Sequence, residues 1–148
     1  MQIVITAIVQ KDGKYLITKR SEQEEKFPGL WTVPGGKIER DDVESIIPNN
    51  DGNRYELVEN ALQREVKEEV NLRIENIKYL TSLCYPKKDT FALCISCVAD
   101  WQSGKVHLDD ESVDYGWVTS KEAKNYQLID GILEELRMAD DILAGKQV

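Results

Sequence analysis

The sequence predicts a single mixed α/β (α+β) domain over residues 1–148, and three observations support it. The first twenty residues read as two strands around an Asp-Gly turn. Residues 55–70 switch to a helical apolar period, and residues 89–100 form a nearly continuous apolar run suited to a central strand. A chain of 148 residues is long enough to bury a core without disulfide staples.

Residues 2–10 and 14–20 form a hairpin, since Lys11-Asp12-Gly13 supplies the turn chemistry. The stretch from Phe27 to Gly36 holds two prolines and three glycines, which preclude a helix there. Residues 40–54 are polar and turn-rich, with Pro48-Asn49-Asn50-Asp51-Gly52-Asn53 as the clearest loop signal. A helix follows to Val70. Strands are expected at 74–84 and 89–100, a turn at Gln102-Ser103-Gly104, and a short strand at 115–118. Thr119 and Glu122 fit a capping box that opens a short helix. A last helix spans 130–143, its apolar face built from Ile132, Leu133, Leu136, Ile142 and Leu143.

Composition narrows the function. The protein carries 27 acidic against 19 basic residues, a formal charge of −8, which argues against duplex nucleic acid as a partner. A nucleotide ligand is still compatible, because a bound divalent cation inverts the local field. No apolar run approaches the roughly 18 residues of a bilayer span, and the N-terminus carries no basic leader, so neither a membrane partner nor a signal or transit peptide is expected. Cys94 and Cys97 lie three apart on an expected strand and so point to opposite faces as small core residues; with Cys84 they suggest a reduced, cytoplasmic setting. A lone histidine, His107, speaks against His-rich zinc sites and Ser-His-Asp chemistry.

The helix ending at Val70 is the informative element. Val58, Leu62, Val66 and Val70 form one stripe for the sheet, and Glu65 and Glu69 border that stripe, with Glu68 on the adjoining flank. Carboxylates at a core edge repel one another and lose hydration unless a cation or arginine compensates. Oxygen-only ligands suit a hard cation such as Mg²⁺ or Mn²⁺. Spacing alone leaves equally open a solvated helix with Arg64–Glu68 as an i,i+4 pair. Gly35-Gly36 upstream, able to bring bare backbone to a ligand, shifts the balance toward a site.

These residues resemble the Nudix hydrolase signature, in which Gly, five residues, Glu and seven residues precede Arg-Glu-aliphatic-x-Glu-Glu-x-Gly-aliphatic. Arg64-Glu65-Val66-Lys67-Glu68-Glu69-Val70-Asn71-Leu72 matches the second half, and Leu30-Trp31-Thr32-Val33-Pro34-Gly35-Gly36 matches the lead-in. Gly36 to Glu56 spans 20 positions where the signature has six, so about 14 residues are inserted, around 42–55. Asp42 occupies the uninterrupted count, but Glu56 keeps the helix register and is preferred as the first carboxylate. Asn71 replaces the signature glycine and tolerates the left-handed conformation a helix end needs.

The resemblance implies an α/β/α sandwich with a mixed sheet and a metal-dependent pyrophosphohydrolase acting on a nucleoside diphosphate linked to another moiety. It assigns the catalytic cation, Mg²⁺ or Mn²⁺, to Glu65 and Glu69 with Glu68 and the Gly36 carbonyl, and has Arg64 pair with a carboxylate. Glu111 is the candidate additional ligand or base, with Asp110 and Asp114 as competitors. Arg20 is a candidate phosphate contact. Trp31, with Phe27 and Tyr85, could stack on a base, and Pro86 lies near a proline typical of ADP-ribose-cleaving relatives. Asp130 is a candidate base reader whose simpler role is helix N-cap. A (deoxy)nucleoside triphosphate leads as substrate, ahead of ADP-ribose or a nucleotide sugar. Two readings from other classes stand beside it, a non-catalytic nucleotide-sensing module and an acidic structural domain; either a monomer or a homodimer is compatible.

Overall fold

A computed structural model describes residues 1–145; residues 146–148, the end of the expected domain, lie outside the described residues. The elements are β1 (Gln2–Lys11), β2 (Lys14–Arg20), β3 (Trp31–Thr32), β4 (Gly35–Lys37), α1 (Arg40–Glu44), α2 (Leu57–Val70), β5 (Arg73–Lys87), β6 (Thr90–Ser103), β7 (Ser112–Val118), α3 (Ser120–Ala123) and α4 (Ile132–Leu143). The sheet runs β3-β2-β1-β6-β5, with β4 also on β1 and β7 also on β2. β1 and β6 pair in parallel from Gln2↔Ala92 to Gln10↔Asp100; the other strand-to-strand ladders are antiparallel, and a lone bridge joins Trp31 to Leu128 in parallel.

The apolar run expected at 89–100 falls in β6 from Thr90 onward, between β1 and β5, as its composition requires. β1 and β2 pair only near their shared turn, at Gln10↔Tyr15 and Lys11↔Lys14. Beyond it β2 pairs with β7 and β3, while β1 takes β4, so the sheet splays around the glycine pair.

Alternation along the strands fills two cores. Ile5, Ala7 and Val9 face α2, where Leu62, Val66 and Val70 are fully buried; Ile8, Tyr15 and Val98 face Leu136 and Ala139 of α4. The result is an α/β/α sandwich. Cys97 joins the α2-side core, Cys94 lies on the opposite face among Thr6, Ser96 and Glu135, and all three cysteines are free. α4 is tied down by Asp140, which accepts hydrogen bonds from the Tyr15 hydroxyl and the Ser120 hydroxyl, both at 2.5 Å. The capping box is present, with Glu122 N donating to Thr119 Oγ1 and Thr119 N to Glu122 Oε1, both at 3.0 Å.

Three expectations need correction. Residues 40–44 are helical rather than loop, because Asp42 accepts a hydrogen bond from Glu39 N (2.8 Å) and stabilises the first turn. Asp130 is not the N-cap of α4; that place belongs to Gly131, whose φ of 95° glycine adopts without strain. Glu56 is not the first carboxylate of the signature. It is exposed, stands before α2 at φ 61°, and ends the helical register it was expected to keep. Eight residues of helix rise about 12 Å, beyond a glutamate's reach to Arg64. Asn71 does close α2 in the left-handed region, at φ 63°.

Candidate active site

Two glycines on β4 and two glutamates on α2 interlock. Because Leu62, Val66 and Val70 are pulled fully into the core, Glu65 and Glu69 are drawn to the helix margin, and Glu69 is only 7% exposed. Glu69 Oε2 accepts a hydrogen bond from Gly35 N at 3.0 Å. At Gly36 a Cβ would overlap the Glu65 carboxyl, so this position must be bare for Glu65 to stand where it does. A Cβ at Gly35 would run into the Ile5 carbonyl and Thr6, which keeps the strand close to β1.

The turn before β7 closes the site from the other side. Asp109 N donates to the Glu69 carbonyl (3.1 Å), and Asp109 Oδ1 accepts from Glu111 N (3.0 Å). Glu111 thereby bears on both Glu65 and Glu69. Burial, opposed by the Gly35 hydrogen bond and reinforced by Asp109, Glu111 and Glu65, pushes the Glu69 carboxyl up to about 8. Glu65, Asp109 and Glu111 are raised too, in each case first by burial and then by neighbouring carboxylates.

Arg64 is the compensating cation on the helix, and its donors are committed. Nε and Nη2 clasp Asp42 at 2.5 and 2.8 Å, Nη1 bridges Glu65 and Glu68 at 3.0 Å each, and Nη2 also reaches the Lys37 carbonyl at 3.2 Å. Asp42, 5% exposed, is held below the usual carboxylate range by that guanidinium. The first signature carboxylate is therefore Asp42, and the insertion loops out between it and Arg64 without disturbing the pair.

The other expected residues are distributed unevenly. Glu68 turns to Arg64 and is 62% exposed on its side chain, outside the Glu65–Glu69–Asp109–Glu111 group. Arg20 lies beside Glu111, but its Nε donates to the Lys26 carbonyl at 2.9 Å and its guanidinium pairs with Glu24, which braces the 21–30 loop. Trp31 stacks edge-on against Tyr126 with centroids 4.9 Å apart. Asp130 borders a shallow cavity of about 230 Å³ with Lys124, Tyr126 and Leu133, none of them from the acidic group. Sequence reasoning passed over Asp109; the Asp109-Asp110-Glu111 run at the head of a strand was its only signal.

This donor set fits a divalent cation. It is all oxygen, it leaves the charge on Glu69 uncompensated, and the two arginines beside it, Arg64 and Arg20, are already occupied. Among the described residues no three His, Cys, Asp or Glu side chains are gathered closely enough to hold a metal alone. A hard divalent cation that retains water and substrate oxygens needs only one or two such carboxylates. Gly36→Ala is expected to displace Glu65 and to cut turnover by about tenfold or more while the protein still unfolds cooperatively. Near-normal activity in that variant, measured beside its thermal unfolding, would remove Glu65 from the site.

Comparison with known proteins gives three findings. A family model described as the NUDIX domain matches residues 1–137. The nucleoside triphosphatase NudI of Escherichia coli is 26% identical, over 91% of this chain and 94% of that protein. Among solved structures, the E. coli ORF135 protein superimposes with a TM-score of 0.72 at 24% identity, covering 100% of this chain and 94% of that one. The NUDIX domain of Shewanella oneidensis NrtR, complexed with ADP ribose, does so with a TM-score of 0.71 at 18% identity, covering 95% and 87%. These two structural matches speak to the fold alone.

Proposed function

The chain belongs to the NUDIX domain family and is a hydrolase acting on phosphoric anhydrides, and from that premise we propose that it is a Mg²⁺-dependent pyrophosphohydrolase of nucleoside triphosphates. The observation that carries the reading is Glu69: a nearly buried carboxylate, fixed by Gly35 N–H, facing Glu65, Asp109 and Glu111 with no free cation beside it among the described residues. A structural role alone would favour an apolar residue there, because burying an unpaired charge is costly.

When bound, the divalent ion supplies neutralisation of the phosphate oxygens and a lowered pKa for the attacking water. Glu65 and Glu69 would hold it, and Gly35 N–H fixes the orientation of Glu69. Arg64, itself oriented by Asp42, keeps Glu65 in place. Glu111, raised in pKa beside Asp109 at the edge of the group, is suited to accept the proton of the attacking water. Glu68, paired with Arg64 one helical turn from Glu65, would complete the carboxylate set. The triphosphate preference rests on likeness to a nucleoside triphosphatase over nearly the whole chain. The free cysteines suit a reducing, cytoplasmic setting.

A panel of nucleoside triphosphates and ADP-ribose assayed with Mg²⁺ tests this. Release of nucleoside monophosphate and pyrophosphate from a triphosphate, abolished by EDTA, is the expected result. ADP-ribose as the best substrate would overturn the triphosphate assignment, and no hydrolysis of any member would overturn the activity.

A further inference from the structure

The outer side of α2 carries a second charged recess, of the opposite sign. A cavity of about 300 Å³ lies between that helix and the adjoining ends of β5 and β6. Gln63 and Lys67 form one wall, Arg73 and Gln102 the other, over a floor of Leu72 and Ile74. The floor is buried, at 0% and 3% exposure. No carboxylate lines the recess, although the protein has 27 acidic residues against 19 basic ones. Its cations also have donors to spare. Lys67 Nζ donates to Asn71 Oδ1 at 2.9 Å, which leaves the rest of its ammonium donors open. Arg73 enters none of the ion pairs among the described residues.

Helical spacing sets this recess apart from the carboxylate group. Residues two apart on a helix are turned by about 200°, so Gln63 and Lys67 point away from Glu65 and Glu69. Gln63 and Lys67 themselves lie one turn apart on a common face. Across the gap, Arg73 pairs with Ser103, which puts its backbone beside that of Gln102. Arg64 stands between the two sites. It borders the recess, yet its donors serve the other side, on Asp42, Glu65, Glu68 and the Lys37 carbonyl. A ligand in the recess takes its hydrogen bonds from Lys67, Arg73 and the two glutamine amides.

We propose that this recess is an anion site for a phosphate group, free or carried as an ester, distinct from the catalytic carboxylates. Two cations with no acid between them call for an anion, and the directions of the donors choose among anions. A carboxylate offers its oxygens in one plane. Here the donors converge from a helix on one side and a sheet end on the other, which a tetrahedral phosphate satisfies at once. A guanidinium meets phosphate with two parallel bonds, and a lysine adds a point charge. The apolar floor gives the organic part of an ester a surface to cover, and about 300 Å³ is the lower end of the range for small-ligand pockets.

The test is calorimetric titration of the metal-free protein in EDTA with inorganic phosphate, adenosine 5′-monophosphate and adenosine, with backbone amide shifts followed by NMR. Without a cation, Glu65, Glu69, Asp109 and Glu111 repel phosphate, so binding under these conditions reports on the recess. Phosphate and the monophosphate are expected to bind, more weakly as salt rises, and adenosine is not. Arg73→Gln and Lys67→Gln, both at exposed positions, should each weaken binding by roughly 10-fold, while Glu111→Gln leaves it unchanged. Amide shifts should move at 63, 67, 73 and 102 and stay fixed at Gly35 and Gly36. A monophosphate that binds tighter than phosphate identifies an ester as the occupant, and equal affinities identify free phosphate. No binding of either, adenosine binding as tightly as the monophosphate, or affinities untouched by both substitutions overturns the assignment. So does stronger binding in Glu111→Gln, which would put the anion among the carboxylates.

Discussion

Glu69→Gln is expected to lower kcat by at least about 10²-fold while leaving the protein folded, and in metal-free buffer at pH 8 to make it more stable. Both effects follow from one carboxylate. Glutamine can still accept the Gly35 N–H bond, so the β4–α2 contact survives, but it brings no charge to a cation. The stability effect has a definite sign. The Glu69 carboxyl stands near 8 in the folded protein against 4.5 for an ordinary glutamate. A raised acid favours folding fully below the unfolded value and loses that contribution as pH rises toward the folded one. Metal-free wild type should therefore lose up to about 5 kcal/mol between pH 4.5 and 8, and Mg²⁺ should restore much of it by binding the native state. Denaturant unfolding across that range, with EDTA and with Mg²⁺, checks this; Glu69→Gln should lack the slope this group contributes. Wild-type turnover in Glu69→Gln would exclude the residue from the chemistry.

Asp42→Ala should be the most destabilising of these substitutions. It removes the nearly buried partner of a bidentate guanidinium pair and leaves Arg64 Nε and one Nη2 donor unpaired. Loss of one member of such a pair is destabilising by about 2–4 kcal/mol, discounted here because Arg64 is partly exposed. For a chain of this size that lowers Tm by roughly 5–15 °C. Asp42 is held low by Arg64, so its contribution is present above the unfolded value near 3.8 and disappears as pH falls below it. Turnover should fall as well, since Arg64 positions Glu65. Glu56→Ala is the control, expected within about 0.5 kcal/mol of wild type. If the two variants exchanged their effects by thermal unfolding, the first signature carboxylate would be Glu56 after all.

What could be read from the sequence was whatever depends on local periodicity. The stripe from Leu62 to Val70 announces which face of α2 is buried and hence where Glu65 and Glu69 must stand. The continuous apolar run of β6 announces a central strand. Contacts that cross the sheet or the insertion leave no such trace. The Asp42–Arg64 pair is 22 residues apart, and the insertion masks the count that would reveal it. Glu56 looked like helix because nothing in its side chain signals a left-handed backbone. Asp130 looked like a cap because aspartate usually is one, while the neighbouring glycine takes the place through its φ angle alone. Glu135 is the subtlest case. On a helical wheel a charged residue is assigned to solvent, and only Ser96, far away in sequence, shows what it meets.

The parallel pairing of β1 with β6 also decides when the protein can fold. Partners along it are 90 residues apart, so the first strand synthesised is completed by nearly the last of the long ones. At about 5–20 residues per second, a nascent β1 waits roughly 5–20 s on the ribosome before β6 exists. Closing so long a loop makes the entropic barrier high and the nucleus non-local. The hairpin of β1 and β2 is held meanwhile by little beyond its turn. A nascent chain of this protein therefore carries an apolar, unpaired strand edge until β6 emerges, and that interval is when chaperone binding or self-association would compete with folding.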